Sequence, residues 1–183
     1  MNKVFFLFIL FYSVCNLGAY SFTAPVEQKF SIEAGGTKEF LNGSNEGQST
    51  FLASYLIQQD IKKSEDYIGF GFFEIIGGTL NGDRATNFLF AGLGYGYELK
   101  HTNWAKKYYL DGLWFRASAS VGYITKTSNH LSSHNMFSEA IVIGWERVFI
   151  TYRHMSNGGS AFHNSEPNSG EDNFTIGLNV LKF

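Results

Sequence analysis

A histidine and a serine in the C-terminal region have a spacing that suits nucleophilic catalysis. Residues 152–159 read YRHMSNGG, so His154 and Ser156 are two positions apart. Side chains two apart on a β-strand point to the same face, and an imidazole beside a serine hydroxyl can take its proton and make the oxygen a nucleophile. A His-x-Ser pair also occurs by chance, and a histidine at a strand end is usually solvated, so spacing alone supports catalysis only weakly.

A carboxylate must orient such an imidazole, and the sequence offers two adjacent acids beyond the next loop. Asp172 alternates with Phe174 and Ile176, which predicts that it lies on the outward face of the last strand. Glu171 has the longer side chain but points to the opposite face of a regular strand. Parity therefore favours Asp172, with Glu171 as the alternative acid. Glycines and asparagines in the intervening loop could donate hydrogen bonds to an oxyanion.

Alternation of residue character predicts the strands that must position these groups. In residues 113–123 the odd positions carry Leu, Phe, Ala, Val and Tyr, whereas the even positions after Trp114 carry Arg, Ser and Gly. Residues 89–97 alternate in the same way, with glycines on the second face. The pattern predicts eight strands, at about 27–37, 50–62, 66–80, 86–99, 111–125, 135–146, 148–157 and 172–183.

The small and polar face of these strands suits the narrow interior of an eight-stranded barrel, and the apolar face then meets lipid. We therefore predict an all-β fold, an eight-stranded antiparallel transmembrane β-barrel, with a soluble lipocalin-like barrel as the alternative. An even strand number puts both termini in the periplasm, so the connections at 38–49 and 158–171 face outward. His154 and Ser156 then lie on the lipid-facing side, where polar groups are costly and tend to be functional.

The composition is that of one exported domain. Lys3, followed by an apolar run, predicts a signal peptide over residues 1–21 and a barrel domain over 22–183, with a retained anchor as the alternative. A net charge of −2 without a basic block argues against a nucleic-acid partner. Arg153 has the interior parity and is expected to pair inside the barrel with an acid such as Glu98 or Glu139. The other histidines are scattered over predicted loops, so we expect no metal site: His101, His130, His134 and His163.

The C-terminal region resembles the lipid A 3-O-deacylase (PagL-type) family. The resemblance is carried by the H-x-S-N motif of residues 154–157, the segment PNSG at 167–170, the acid that follows and the alternating last strand. Residues 115–122 and 135–139 are also similar to the fifth and sixth strands of that family. The resemblance covers roughly residues 110–183, and the family acid is usually Glu.

This resemblance implies a serine esterase in the outer membrane of a Gram-negative bacterium. It would hydrolyse the ester-linked 3-hydroxyacyl chain at position 3 of lipid A, with lipopolysaccharide as its partner and without a cofactor; a homodimer is left open. The alternatives are a barrel acyltransferase acting on lipid A and a non-enzymatic small outer-membrane barrel. The implied site residues are the nucleophile Ser156, the base His154, the acid Asp172 or Glu171, the oxyanion-hole donors Gly159 and Asn168, and Asn157 in support.

Overall fold

The structure is a computed structural model that describes residues 26–37, 48–81, 85–99, 103–127, 131, 133–156 and 170–183. The expected signal peptide lies outside these ranges and stays a prediction. Eight strands and one short helix make up the described chain. Their bounds are β1 Val26–Thr37, β2 Gln48–Lys63, β3 Tyr67–Asn81, β4 Thr86–Leu99, α1 Asn103–Lys107, β5 Leu113–Ile124, β6 Asn135–Trp145, β7 Val148–Ser156 and β8 Glu171–Lys182.

The strands form a closed barrel in which each pairs antiparallel with the next, and β8 returns to β1. Backbone hydrogen bonds between Gln28 and Phe183 complete the closure, at N···O distances of 3.2 and 2.9 Å. Closure satisfies the backbone groups that an open sheet leaves unpaired at its edges. The predicted all-β, eight-stranded antiparallel barrel is therefore confirmed.

The two ends of the barrel differ. At the end that holds Val26 and Lys182, called here the termini end, the β6–β7 turn is as tight as predicted, and Glu146 adopts a φ of 52° there. The longer connection between β4 and β5 at this end contains α1, which the sequence pattern did not predict. The opposite end, where β7 stops at Ser156, is called here the loop end.

The barrel interior is filled with side chains rather than open. Gly94 and Gly96 allow this on β4, because a Cβ on either would come within 2.4 Å of an aromatic ring of β3. Those rings, of Phe72 and Phe70, occupy the space above the glycines and are at most 4% exposed. Small residues on one strand thus make room for large residues on the next, as the dense packing of protein interiors requires.

A belt of charged and hydroxyl groups crosses the filled interior. The Glu33 carboxylate accepts a hydrogen bond from Thr175 Oγ1 at 2.6 Å, and the Glu74 carboxylate accepts one from Ser118 Oγ at 2.6 Å. The buried guanidinium of Arg116 is attracted by both of these carboxylates, and its Cζ lies 4.7 Å from the Trp114 ring centroid. Buried charges need such partners, so this belt links β1, β3, β5 and β8 through the centre of the barrel.

The predicted partners of Arg153 are wrong. Arg153 does point inward, but its Nη1 donates to Ser138 Oγ at 3.2 Å. Glu139 follows Ser138 on β6 and is exposed, because neighbouring residues of a strand face opposite sides. Glu98 lies near the termini end of β4, whereas Arg153 lies toward the loop end of β7. Strict parity on β6 would have excluded Glu139 as an interior partner.

The outer surface of the barrel is rich in large apolar side chains. Leu89 is 59% exposed and Ile176 is 64% exposed, and similar residues recur at alternate positions of every strand from β3 to β8. A soluble barrel would bury these residues, whereas a lipid-facing surface requires them. Within the part of the chain that the structure describes, no helix has the length and apolarity needed to cross a membrane.

Candidate active site

The candidate site is a row of polar side chains across three strands. His154 on β7 lies directly opposite Asp172 on β8 and directly opposite Glu139 on β6. All three have the outward parity, and the row is close to the loop end, because β7 stops at Ser156 and β8 begins at Glu171. Cross-strand neighbours have Cβ atoms about 5 Å apart, so register alone brings an imidazole between two carboxylates.

The imidazole of His154 is bound to the carboxylate of Asp172. His154 Nδ1 lies 2.9 Å from Asp172 Oδ1, and the side chains are 28% and 9% exposed. An ionised carboxylate can only accept, so Nδ1 carries the proton and donates it. Nε2 then keeps its lone pair and can take a proton from another group. This is the tautomer that a general base needs when it activates a serine.

Ser156 is the last residue of β7 and lies on the same face as His154. Residues two apart on a strand are separated by about 6.6 Å, a gap that an imidazole directed along the strand can bridge. The side chains of both residues are half-buried. The nucleophile and base of the sequence hypothesis therefore share one outward face at the loop end.

Glu171, the alternative acid, lies on the other face of β8. It is opposite Met155 in the register and is 5% exposed, on the side of the strand that faces the barrel interior. His154 points outward, so the barrel wall separates the two side chains. The structure thus brings Asp172, and not Glu171, to the imidazole.

Tyr152 also contacts the Asp172 carboxylate, a contact that the sequence analysis did not predict. Its hydroxyl donates to Asp172 Oδ1 at 2.7 Å, the oxygen that also accepts from His154. The Tyr152 ring packs against Phe174 of β8 with a centroid separation of 5.1 Å. The available signal was the position of Tyr152 two residues before His154, which puts both on one face.

The fold of this chain is similar to that of a known outer-membrane protein. The solved structure is the crystal structure of the outer membrane enzyme PagL, with a TM-score of 0.61 and 13% sequence identity. The match covers 85% of this chain and 98% of the PagL chain. No family model matches the sequence, and no curated protein matches it either. The likeness therefore shows a shared barrel fold, and the chemistry must be argued from the site itself.

Three residues of the sequence hypothesis cannot be placed. Asn157, Gly159 and Asn168 lie outside the described residues, so the supporting and oxyanion roles stay predictions. Among the residues that the structure does describe, no group of three or more His, Cys, Asp or Glu side chains could hold a metal ion.

Gly170 forms one wall of the imidazole site. It has a φ of 72°, and a Cβ built on it would lie 2.5 Å from His154 Cε1 and 2.9 Å from Nε2. A left-handed backbone favours glycine, and the absence of a side chain lets the backbone approach the edge of the ring that bears Nε2. Both reasons require glycine at the residue that precedes β8.

We expect Gly170→Ala to lower the hydrolase activity that the sequence predicts about a hundredfold, because a displacement of about 1 Å in a catalytic group can cost that much. The added methyl must push the imidazole away from its present position, since the neighbouring Met155 carbonyl is backbone and cannot yield. Hydrolysis rates of purified variants measure the effect.

The matched control is Gly77→Ala, a glycine-to-alanine change elsewhere in the sheet. A Cβ on Gly77 would meet its nearest neighbour, Leu89 Cδ1, at an ordinary 3.7 Å. Full activity of a folded Gly170→Ala protein would show that Gly170 does not hold the His154 imidazole in place.

Proposed function

We propose that this protein is an outer-membrane serine esterase that hydrolyses the ester-linked 3-hydroxyacyl chain at position 3 of lipid A. The observation that carries the proposal is the His154–Asp172 hydrogen bond, on the same outward face as Ser156 and at the loop end of the barrel. Polar groups on a lipid-facing surface are costly and are kept where they serve a function. The likeness in fold to an outer membrane enzyme supports the same class of protein.

The chemistry would follow the Ser-His-acid scheme. Ser156 Oγ attacks the ester carbonyl while His154 Nε2 takes the hydroxyl proton, and Asp172 stabilises the imidazolium. The backbone of Gly159 and the side chain of Asn168 are proposed to donate to the oxyanion. Collapse of the intermediate releases the sugar hydroxyl, which receives the proton from His154, and leaves an acyl-enzyme. Water activated by His154 then releases the fatty acid and restores Ser156.

The position of the site suits a lipid substrate. We propose that the protein is exported to the outer membrane of a Gram-negative bacterium, with the loop end at the outer leaflet, where lipopolysaccharide lies. An ester bond near the headgroups would then meet Ser156, while its acyl tail stays in the bilayer beside the apolar barrel surface. The substrate need not enter the barrel.

An acyltransferase would need a different site. Moving a chain from phospholipid to lipid A requires a place to hold the chain during transfer, and the glycine-rich inner face of β4 would be the place for such an interior pocket. Phe70 and Phe72 fill the space above Gly94 and Gly96. This packing favours the hydrolase over the transferase, and a non-enzymatic barrel would have no use for the oriented His154–Asp172 pair.

Product analysis with the purified protein tests the proposal. The protein is reconstituted in vesicles with lipopolysaccharide, and both lipid A and free fatty acid are analysed by mass spectrometry. We expect free 3-hydroxy fatty acid together with lipid A that has lost the matching mass. Heavier lipid A would indicate the transferase, and unchanged lipid A without free acid would indicate a non-enzymatic barrel.

A further inference from the structure

We infer that Tyr152 is a positioning residue that fixes the Asp172 carboxylate against His154. The inference rests on the proposed function, since it gives Tyr152 a part in the esterase site. Tyr152 does not reach the reacting atoms itself, because its hydroxyl is engaged by Asp172. It acts through the carboxylate, and therefore through the orientation of the imidazole.

Two donors converge on a single carboxylate oxygen. Asp172 Oδ1 accepts from the Tyr152 hydroxyl at 2.7 Å and from His154 Nδ1 at 2.9 Å. Hydrogen bonds to an ionised acceptor are about twice as strong as those between neutral groups. Two such bonds to one oxygen define both the rotation of the carboxylate and the side from which the imidazole approaches.

The Tyr152 hydroxyl is aimed by the sheet. Tyr152 pairs with Phe174 in the β7–β8 register, and their rings pack at 5.1 Å with an interplanar angle of 46°. Asp172 is two residues before Phe174 and opposite His154. The phenol ring therefore lies on Phe174 and extends along the strands, so that its hydroxyl meets the carboxylate of the next outward position.

The imidazole has a second carboxylate neighbour, which makes such positioning useful. The titratable groups of the described outward face around His154 are Glu139 from β6, Asp172 from β8 and Tyr152 from β7 itself. Glu139 is exposed, whereas Asp172 is buried and accepts a hydrogen bond from the phenol. Tyr152 thus distinguishes the two acids, because its hydroxyl donates to Asp172, which it holds in a fixed geometry for Nδ1, and not to Glu139.

The test is Tyr152→Phe, which removes the hydroxyl and keeps the ring on Phe174. We expect kcat to fall about tenfold with KM unchanged, the effect of losing one hydrogen bond to a charged group.

A second readout does not depend on turnover. In the wild-type protein in detergent micelles, the His154 Nδ1 proton bound to Asp172 should give a far-downfield proton NMR signal. Tyr152→Phe should shift or broaden this signal. Tyr97→Phe is the matched control, because Tyr97 is also outward-facing but lies toward the termini end of β4, and it should change neither the signal nor the rate.

Failure of the positioning role of Tyr152 and failure of the proposed esterase function give different results. A wild-type kcat and a wild-type NMR signal in Tyr152→Phe, beside an inactive Ser156→Ala protein, would overturn the positioning role and leave the esterase intact. A wild-type protein that shows the histidine signal but hydrolyses no lipopolysaccharide would overturn the proposed function, and with it the role of Tyr152 in catalysis.

Discussion

Ser156→Ala should reduce hydrolysis of lipopolysaccharide by a factor on the order of 10⁴ or more, since removal of the nucleophile leaves only the contribution of binding and the oxyanion site. The change removes one oxygen from the loop end of β7 and alters no described interior contact. The barrel should therefore fold as before. Initial rates on vesicles that contain lipopolysaccharide measure the loss.

The chain offers a matched control for this substitution. Ser49 is an exposed serine at the loop end of β2, on the outward face of the strand, next to the buried, inward-facing Thr50. Ser49→Ala makes the same chemical change at a similar depth but away from His154, and should keep full activity. Substantial hydrolysis by folded Ser156→Ala protein would show that Ser156 is not the nucleophile.

The second large effect concerns the acid. Asp172→Asn should lower kcat by about 10⁴-fold, because an amide in place of the carboxylate favours the wrong imidazole tautomer and cannot stabilise the imidazolium. The substitution keeps the shape of the side chain beside His154 and Tyr152. Steady-state kinetics, with folding checked by circular dichroism, measure the change.

Glu171→Gln is the control for Asp172→Asn, since it neutralises the adjacent carboxylate. Glu171 faces the barrel interior, on the other side of the barrel wall from His154. The hydrolysis rate of the Glu171→Gln protein should therefore stay within a fewfold of wild type. If Glu171→Gln abolishes turnover and Asp172→Asn does not, the outward placement of the acid at the start of β8 is wrong.

The fold could be predicted because alternation in a strand is a local property. Each of the eight strands carries its own pattern, and no predicted end differs from the observed one by more than two residues. The short helix α1 has only five residues, too few to show a helical period, and it lies in the gap that the strand pattern leaves between residues 99 and 111. Local pattern thus predicts strands well and short connecting elements poorly.

The faces of the site could also be predicted, but its contacts could not. Alternation predicts that Asp172 and His154 point outward, yet a two-residue slip of β8 against β7 would keep both faces and separate the two side chains. The observed register pairs His154 with Asp172 and Tyr152 with Phe174. The contact of Tyr152 with Asp172 depends on that register, which no single strand encodes.

Gly170 shows a further limit of the sequence. It was recognised as part of the segment PNSG, but its φ of 72° and its approach to the His154 ring depend on how the chain enters β8. Glu139 shows the opposite case, an error that the sequence could have avoided. It shares the parity of Phe137 and Ile141, so alternation already placed it outside the barrel.

The most direct test of the central claim is mass spectrometry of lipid A from three otherwise identical Gram-negative strains. One lacks this protein, one produces it, and one produces Ser156→Ala at the same level in the outer membrane. The esterase predicts lipid A lighter by one 3-hydroxyacyl chain at position 3 only in the strain with the intact protein. Lipid A of the same mass in all three strains, or the same loss with Ser156→Ala, would contradict it.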